Sequence, residues 1–156
     1  MGQYNGSIGY LWQEGYESGA YSTPLFDDVL PQLQKWHEKG LSLSIYSSGS
    51  VFAQKLLFGH IKDGNSSIDR RDFITSWFDT VNAGPKTHTE SYEKIAKSLG
   101  KEAGHLLFLS DNVTEIQAAI EAGMKAVVVE REGNSPLKQE DRTVYQVITS
   151  LNQIEL

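Results

Sequence analysis

The chain has 156 residues, of which 39% are hydrophobic and 22% charged, and its formal net charge is −6. This balance is typical of a single folded domain and excludes wholesale disorder. The 14 basic residues are scattered, so no nucleic-acid or anionic-membrane surface is expected, and no apolar run has the length of a membrane span. Cysteine is absent, which excludes disulfides and thiol chemistry, and a soluble intracellular domain is the expectation.

Regular periodicity begins after a stretch rich in Gly, Tyr and Ser, residues 1–23, which is predicted to be irregular. Helical spacing and alternating apolar positions then follow one another along the chain. In chain order they predict a helix from Val29 to Gly40, a strand over Leu41–Tyr46, a helix over Val51–Phe58, a loop over His60–Arg71, a helix from Tyr92 to Gly100 that starts with a Thr87–Glu90 capping box, a strand over Leu106–Leu109, a helix over Thr114–Ala122, a strand over Ala126–Val129, and a strand with a short helix in residues 144–156. This order is typical of an α/β fold in which helices cover both faces of a parallel sheet.

Ligands of such sheets bind beyond the carboxyl ends of the strands, so two strand ends are candidate sites. At the first, Ser47, Ser48, Gly49 and Ser50 lead into a helix. Hydroxyl groups, backbone N–H groups and a helix N-terminus are the parts of a phosphate site. An ordinary turn with a helix N-cap explains the same residues equally well.

At the second strand end, Asp111 follows the apolar strand and Glu115 lies one helical turn further on. Two carboxylates there could hold a hard cation such as Mg²⁺, although N-capping by Asp111 is the commoner explanation of this pattern. Lys86 stands in a loop before a helix, where a lysine either neutralises phosphate or is simply solvated. The four histidines have no metal-ligand spacing.

The order of these residues, a strand ending in Ser, a lysine before a helix and a strand ending in Asp, resembles three motifs of the haloacid dehalogenase phosphatases. Longer stretches resemble one family within that superfamily, the enolase-phosphatases or acireductone synthases. They are IYSSGSVFAQKLLFGH (Ile45–His60), WFDTVNAGPKTHTESYEKIA (Trp77–Ala96), LFLSDNVTEIQAAIEAGM (Leu107–Met124), GYLWQEGY (Gly9–Tyr16), PLFDDVLPQLQKW (Pro24–Trp36) and the loop Arg131–Asn134.

The resemblance implies a Mg²⁺-dependent phosphatase of methionine salvage, which enolises 2,3-diketo-5-methylthiopentyl-1-phosphate and removes its phosphate to give an acireductone. Ser47 then contacts the transferring phosphoryl group, Ser48 helps to hold the substrate, and Lys86 offsets the charge of the phosphoryl oxygens and the nucleophile. Asp111 binds the metal, with Glu115 as an outer support. A monomer in the cytoplasm, and in some members also in the nucleus, is the corresponding expectation.

One family motif has no match in the chain: the Asp-x-Glu-Gly-Thr strand end whose first Asp is the nucleophile. The expected fold is therefore a haloacid dehalogenase-like core over residues 24–156 without its first strand, and a remnant of the cap or linker over residues 1–23. We expect this shortened chain to be inactive alone. Three alternatives remain open: a phosphatase of the same superfamily with another small phosphorylated substrate, a non-catalytic phosphate- or partner-binding remnant, and, less favoured, a flavodoxin-like nucleotide binder.

Overall fold

The computed structural model describes residues 13–156, which divide into two compact units, one ending at Trp77 and the other beginning at Phe78. Residues 1–12, including part of the Gly9–Tyr16 stretch, lie outside the described residues. Residues 13–17 are helical, so the prediction of an irregular segment up to residue 23 is wrong for that turn. No helix within the described residues is long and apolar enough to cross a membrane.

The first unit alternates helices and strands in the predicted order and adds a hairpin. Its elements are α1 (Val29–Glu38), β1 (Leu43–Tyr46), α2 (Val51–Gly59), β2 (Ile61–Asp63), β3 (Ser66–Ile68) and β4 (Ile74–Phe78). Strand β1 pairs with β4, and the Thr75 hydroxyl donates to the Leu43 carbonyl over 2.8 Å. The helix α1 buries Trp36, which is 4% exposed, and gives way to a left-handed Gly40 with φ +77°.

The predicted loop over His60–Arg71 is wrong, because β2 and β3 form an antiparallel hairpin there. Ile61 lies opposite Ile68, and Gly64, with φ +58°, occupies the turn between the strands. Ile61 is 1% exposed, so its burial fixes the register of a strand whose other residues are polar. Strand β4 was not predicted either. Its five residues, ITSWF, are too few for an alternation of apolar and polar positions to distinguish a strand from a loop.

The second unit is an α/β unit with a three-stranded parallel sheet. Its elements are α3 (Thr89–Leu99), β5 (Leu107–Ser110), α4 (Val113–Glu121), β6 (Lys125–Val129), α5 (Gln139–Val144) and β7 (Val147–Ile148), and short 3-10 turns precede β5 and follow β7. The strand order is β5-β6-β7, and both pairs are parallel. The predicted α/β fold with a parallel sheet is thus confirmed for this unit, with α5 as an unpredicted addition.

Burial in the second unit centres on β6 and the two helices beside the sheet. Val128 of β6 and Ile116 of α4 are fully buried, as is Tyr92 of α3, whose ring meets that of Phe108 edge-on at 5.0 Å. Removing side chains of this size from water contributes about 1.5–3 kcal/mol each. Helix α3 ends at Leu99, and the left-handed Gly100 that follows closes it as predicted. The packing holds the carboxyl end of β5 in a fixed place.

Candidate active site

The carboxyl end of β1 carries the first predicted site residues. Ser47 is half-buried, and its hydroxyl oxygen accepts a hydrogen bond from the Gly49 backbone N–H at 3.1 Å. Ser48 is exposed. The N-cap of α2 is Ser50, whose hydroxyl oxygen accepts from the Ala53 N–H at 3.2 Å. Capping is therefore done by Ser50, which leaves Ser47 and Ser48 available for another role.

At the carboxyl end of β5, three polar side chains meet. The ammonium nitrogen of Lys86 lies 2.6 Å from Oε2 of Glu115, and the Ser110 hydroxyl donates to the same oxygen over 2.7 Å. The Lys86 and Glu115 side chains are only 20% and 13% exposed. Partial burial strengthens such a charge pair relative to one on the open surface. Glu115 therefore holds the lysine beside the strand end.

The loop that delivers Lys86 is built from side chain–backbone hydrogen bonds. The Asp79 carboxylate accepts from the backbone N–H groups of Val81 and Asn82, each at 2.9 Å, and the Asn82 side-chain oxygen accepts from the Asp79 N–H at 2.9 Å. Nearer the lysine, the Ser91 hydroxyl donates to the Pro85 carbonyl over 2.8 Å. These bonds, the last of them from α3, shape the backbone that leads to Lys86.

Tyr92 completes this support. Its hydroxyl donates to the backbone carbonyl of Lys86 over 2.6 Å, while its buried ring packs against Phe108 of β5. Helix α3 begins at Thr89 with His88 as the N-cap residue and no side-chain capping bond, so the predicted Thr87–Glu90 capping box is wrong. The two tyrosine contacts tie the lysine loop and the strand end to one side chain.

Asp111 is exposed and directly follows β5. The N-cap of α4 is the next residue, Asn112, whose side-chain oxygen accepts from the N–H groups of Thr114 and Glu115 at 2.9 and 3.4 Å. The capping explanation of Asp111 is thereby removed. One oxygen of its carboxylate, Oδ2, accepts a hydrogen bond from the Asn134 amide at 2.9 Å.

Oxygen ligands for a hard cation are incomplete within residues 13–156. No group of three or more acidic or histidine side chains in that part of the chain could hold a metal ion. Of the two carboxylates predicted at this strand end, Asp111 is exposed, whereas Glu115 is engaged by Lys86 and Ser110. Mg²⁺ in phosphate-handling sites is often bound through one or two carboxylates, the remaining ligands being waters and phosphate oxygens. Asp111 fits as one ligand of such an ion.

The second unit thus brings together Lys86, Glu115 and the end of β5 that carries Asp111, while Ser47 and Ser48 lie in the first unit. Three contributors were missed from the sequence: Ser110, Tyr92 and Asn134. Ser110 stands beside the predicted Asp111 and could have been included on that ground. Tyr92 has the spacing of a core residue, and Asn134 lies 23 positions from its partner, so neither role has a local signal.

Comparison with known proteins defines the class to which this fold and site belong. Residues 8–123 match the haloacid dehalogenase-like hydrolases, and the chain belongs to that family. It is similar to the enolase-phosphatase E1 of Neurospora crassa, with 51% identity over 148 residues, and to that of Scheffersomyces stipitis, with 44% identity over 149 residues. Each alignment covers 94% of this chain, which spans 62% of the length of either relative.

The similarity extends to a solved structure. The crystal structure of the UTR4 protein of Saccharomyces cerevisiae superimposes with a TM-score of 0.85 at 39% sequence identity, covering 94% of this chain and 64% of that one. The resemblance to the enolase-phosphatases read from the sequence is confirmed by these relatives.

Proposed function

We propose that the chain supplies the phosphate- and metal-binding side of a Mg²⁺-dependent enolase-phosphatase of methionine salvage. The substrate would be 2,3-diketo-5-methylthiopentyl-1-phosphate, which is enolised and dephosphorylated to an acireductone. The observation that carries this proposal is the placement of Lys86 against Glu115 and Ser110 at the strand end that also bears Asp111. The similarity to enolase-phosphatase E1 proteins supports the choice of substrate.

Phosphoryl transfer to a carboxylate requires that the repulsion between two anions is offset. The ammonium group of Lys86 supplies one positive charge, and its pairing with Glu115 keeps it at the strand end until a phosphate is present. A magnesium ion bound through Asp111 would neutralise further charge on the phosphoryl oxygens. Glu115 thus acts on the lysine, as a support outside the ligands of the metal.

Ser47 and Ser48 are proposed to hold the phosphoryl group. The Ser47 oxygen accepts from the Gly49 N–H, so its own hydroxyl proton can be donated to a phosphoryl oxygen. The exposed Ser48 hydroxyl is accessible to substrate. Hydroxyl donors of this kind fix the orientation of the phosphate for in-line attack.

Catalysis by the 156-residue chain alone is not proposed, because no stretch of it matches the Asp-x-Glu-Gly-Thr motif that provides the nucleophile. The test measures phosphate release from the diketo phosphate with Mg²⁺, for this chain and for a version extended upstream with that motif from a relative. Activity restricted to the extended protein, and reduced at least about a hundredfold by Lys86→Ala, is the expected result. Full activity of the 156-residue chain would refute the assignment of the nucleophile.

The absent nucleophile motif also favours a second candidate, a phosphate-binding domain without turnover. Inorganic phosphate or vanadate titrated into the chain distinguishes the two by nuclear magnetic resonance. Perturbed signals of Ser47 and Lys86, with no hydrolysis by the extended protein, would favour the binding domain. Hydrolysis of other small phosphate esters, but not of the diketo compound, would keep the phosphatase and change its substrate. A monomeric cytoplasmic protein without nucleic-acid or membrane partners remains part of the proposal.

A further inference from the structure

The loop that follows β6 reaches back to the end of β5 through one side chain, Asn134. Its amide oxygen accepts a hydrogen bond from the Arg131 backbone N–H at 2.7 Å. Its amide nitrogen donates to Oδ2 of Asp111 over 2.9 Å. Because a backbone N–H can only donate, the atom facing Arg131 must be the oxygen, and the nitrogen must face the carboxylate. The two halves of the amide therefore have different partners.

The base of this loop is anchored to β7 and the turn after it. The Arg131 guanidinium donates to the Thr149 carbonyl over 2.6 Å, and the Glu130 N–H donates to the Ile148 carbonyl over 2.8 Å. The Thr149 N–H in turn donates to the side-chain oxygen of Gln153 over 2.8 Å. Asn134 is half-buried at the end of this chain of bonds, so its amide is held at a fixed place relative to the sheet.

The neighbours of Asp111 are otherwise occupied. Asn112 caps α4, and Ser110 donates to Glu115. Within residues 13–156, Asn134 is the only hydrogen-bond partner of the Asp111 side chain. A turn in the loop explains why the amide oxygen of Asn134 is bonded to Arg131, but it gives no reason for the amide nitrogen to point at a carboxylate 23 positions earlier.

We propose that Asn134 is a positioning residue for the metal-binding carboxylate of Asp111. This inference rests on the proposed function, which gives Asp111 the cation. With Oδ2 held by the amide, the carboxylate cannot rotate freely, and Oδ1 is presented to a divalent ion as a single oxygen ligand. Single-oxygen coordination suits Mg²⁺, whose octahedral geometry is strict. Partners that orient a metal ligand in this way change metal affinity about 10–100-fold when they are removed.

The hydrogen bond is tested first without any metal. In the ¹⁵N-labelled chain, the side-chain NH₂ signals of Asn134 are assigned by their loss in Asn134→Ala. In Asp111→Ala, one of the two proton signals should move towards the position of an unbonded asparagine, while the signals of Asn152 stay in place. Unchanged Asn134 signals would show that the contact with Asp111 is absent and would overturn the inference without touching the proposed function.

The cation is then supplied as Mn²⁺, which broadens nuclear magnetic resonance signals near its binding site. The amide signals of Asn112 and Val113 in the unaltered chain should broaden at low Mn²⁺, and Asp111→Asn should abolish the effect. Asn134→Ala should need about tenfold more Mn²⁺ or more for the same broadening. Asn152→Ala, which removes an exposed asparagine elsewhere in the same unit, should titrate like the unaltered chain.

The possible failures are distinguishable. Equal Mn²⁺ titrations for the unaltered chain and Asn134→Ala would overturn the positioning role and leave Asp111 as a metal ligand. Absence of broadening in the unaltered chain would overturn both the positioning role and the metal role of Asp111. Asn134→Asp is unsuitable as a control, because it sets a second carboxylate against Asp111 and adds charge repulsion to the loss of the donor. In Asn134→Ala, an unchanged Thr149 amide signal shows that the loop remains anchored to β7, which separates loss of the Asp111 contact from damage to the loop.

Discussion

Lys86 and Ser110 bind one and the same oxygen, Oε2 of Glu115, at 2.6 and 2.7 Å. The lysine comes from the loop before α3, the serine ends β5, and the glutamate lies in the first turn of α4. One carboxylate oxygen therefore joins three separate segments of the second unit. The arrangement places a cation where phosphate is expected, and it makes the local fold depend on the charge of Glu115.

Replacing Glu115 with glutamine should destabilise the chain by about 1–2 kcal/mol, between the values for an exposed and a fully buried pair, because the charge of Glu115 beside the largely buried Lys86 is lost. Urea denaturation measures the free energy of unfolding. Glu93→Gln makes the same chemical change at an exposed position of α3 and should alter that free energy by less than about 0.5 kcal/mol. Equal effects of the two substitutions would show that the pair with Lys86 contributes nothing.

Tyr92→Phe removes the donor to the Lys86 carbonyl and keeps the ring against Phe108. The free energy of unfolding should fall by about 1–2 kcal/mol. The Lys86 amine should also be acylated faster, which mass spectrometry measures after brief treatment with acetic anhydride. The other lysines should react at unchanged rates, because the fold is retained. Tyr145→Phe is the matched control, and it should leave Lys86 reactivity as it was. A general rise in lysine reactivity would instead indicate unfolding.

Gly84→Ala should distort the loop that carries Lys86. The glycine has φ +122°, and a Cβ at this position would lie 2.5 Å from the Ser91 hydroxyl oxygen. Backbone strain and steric overlap together should lower the free energy of unfolding, measured by urea denaturation, by about 2–4 kcal/mol. Gly40→Ala separates the two causes, since Gly40 has φ +77° but open space around it, and it should cost about 1–2 kcal/mol. Because Ser91→Ala also removes the bond to the Pro85 carbonyl, the double variant Gly84→Ala/Ser91→Ala should lose less stability than the sum of the two single variants, and additive losses would exclude the overlap.

Acid should weaken the first unit partly through Asp69. Hydrogen bonds from the Arg71 side chain hold the pKa of the Asp69 carboxyl below its ordinary value of 3.8, against a smaller opposing effect of burial. A lowered pKa in the folded state stabilises the fold above the ordinary pKa, and this contribution disappears as the pH falls through the folded pKa. The side chain is 49% exposed, so the contribution is well below about 1 kcal/mol.

Unfolding free energies measured between about pH 6 and pH 3 should therefore fall slightly less steeply for Asp69→Asn than for the unaltered chain. Arg71→Ala should flatten the curve to the same degree, and the double variant should add nothing further. A steeper fall in Asp69→Asn would contradict the assigned sign.

The sequence predicted most of the fold where the pattern of burial is simple. Helices α2 and α3 and strands β5 and β6 were located to within two or three residues, because one face or the whole element is buried and the chain shows the corresponding periodicity. The β2–β3 hairpin was missed because Ile61 and Ile68 are its only large apolar residues, with polar side chains between them. Such a short strand is recognised only from its pairing with the opposite strand, which the sequence does not show.

The site was predictable where the chemistry is local. Asp111 and Lys86 stand next to a strand end and a helix start, and these positions are visible in the sequence. The sequence could not decide whether Asp111 is a metal ligand or an N-cap. Asn112 can serve as a cap just as well, and only the backbone conformation determines which residue does. The contacts of Asn134 and Tyr92 depend on tertiary packing, and no neighbouring residue in the sequence indicates them.

Strand β5 has a single neighbour, β6, within residues 13–156. In a parallel strand, successive residues direct their backbone N–H groups to opposite sides, so only about half of the β5 amides are bonded to β6. In heavy water, deuterium should replace the outward-facing amide protons of β5 quickly and the inward-facing ones slowly. A strand from another polypeptide lying along this edge would slow the fast set, so amide-by-amide deuteration rates make β5 an internal reporter of strand addition.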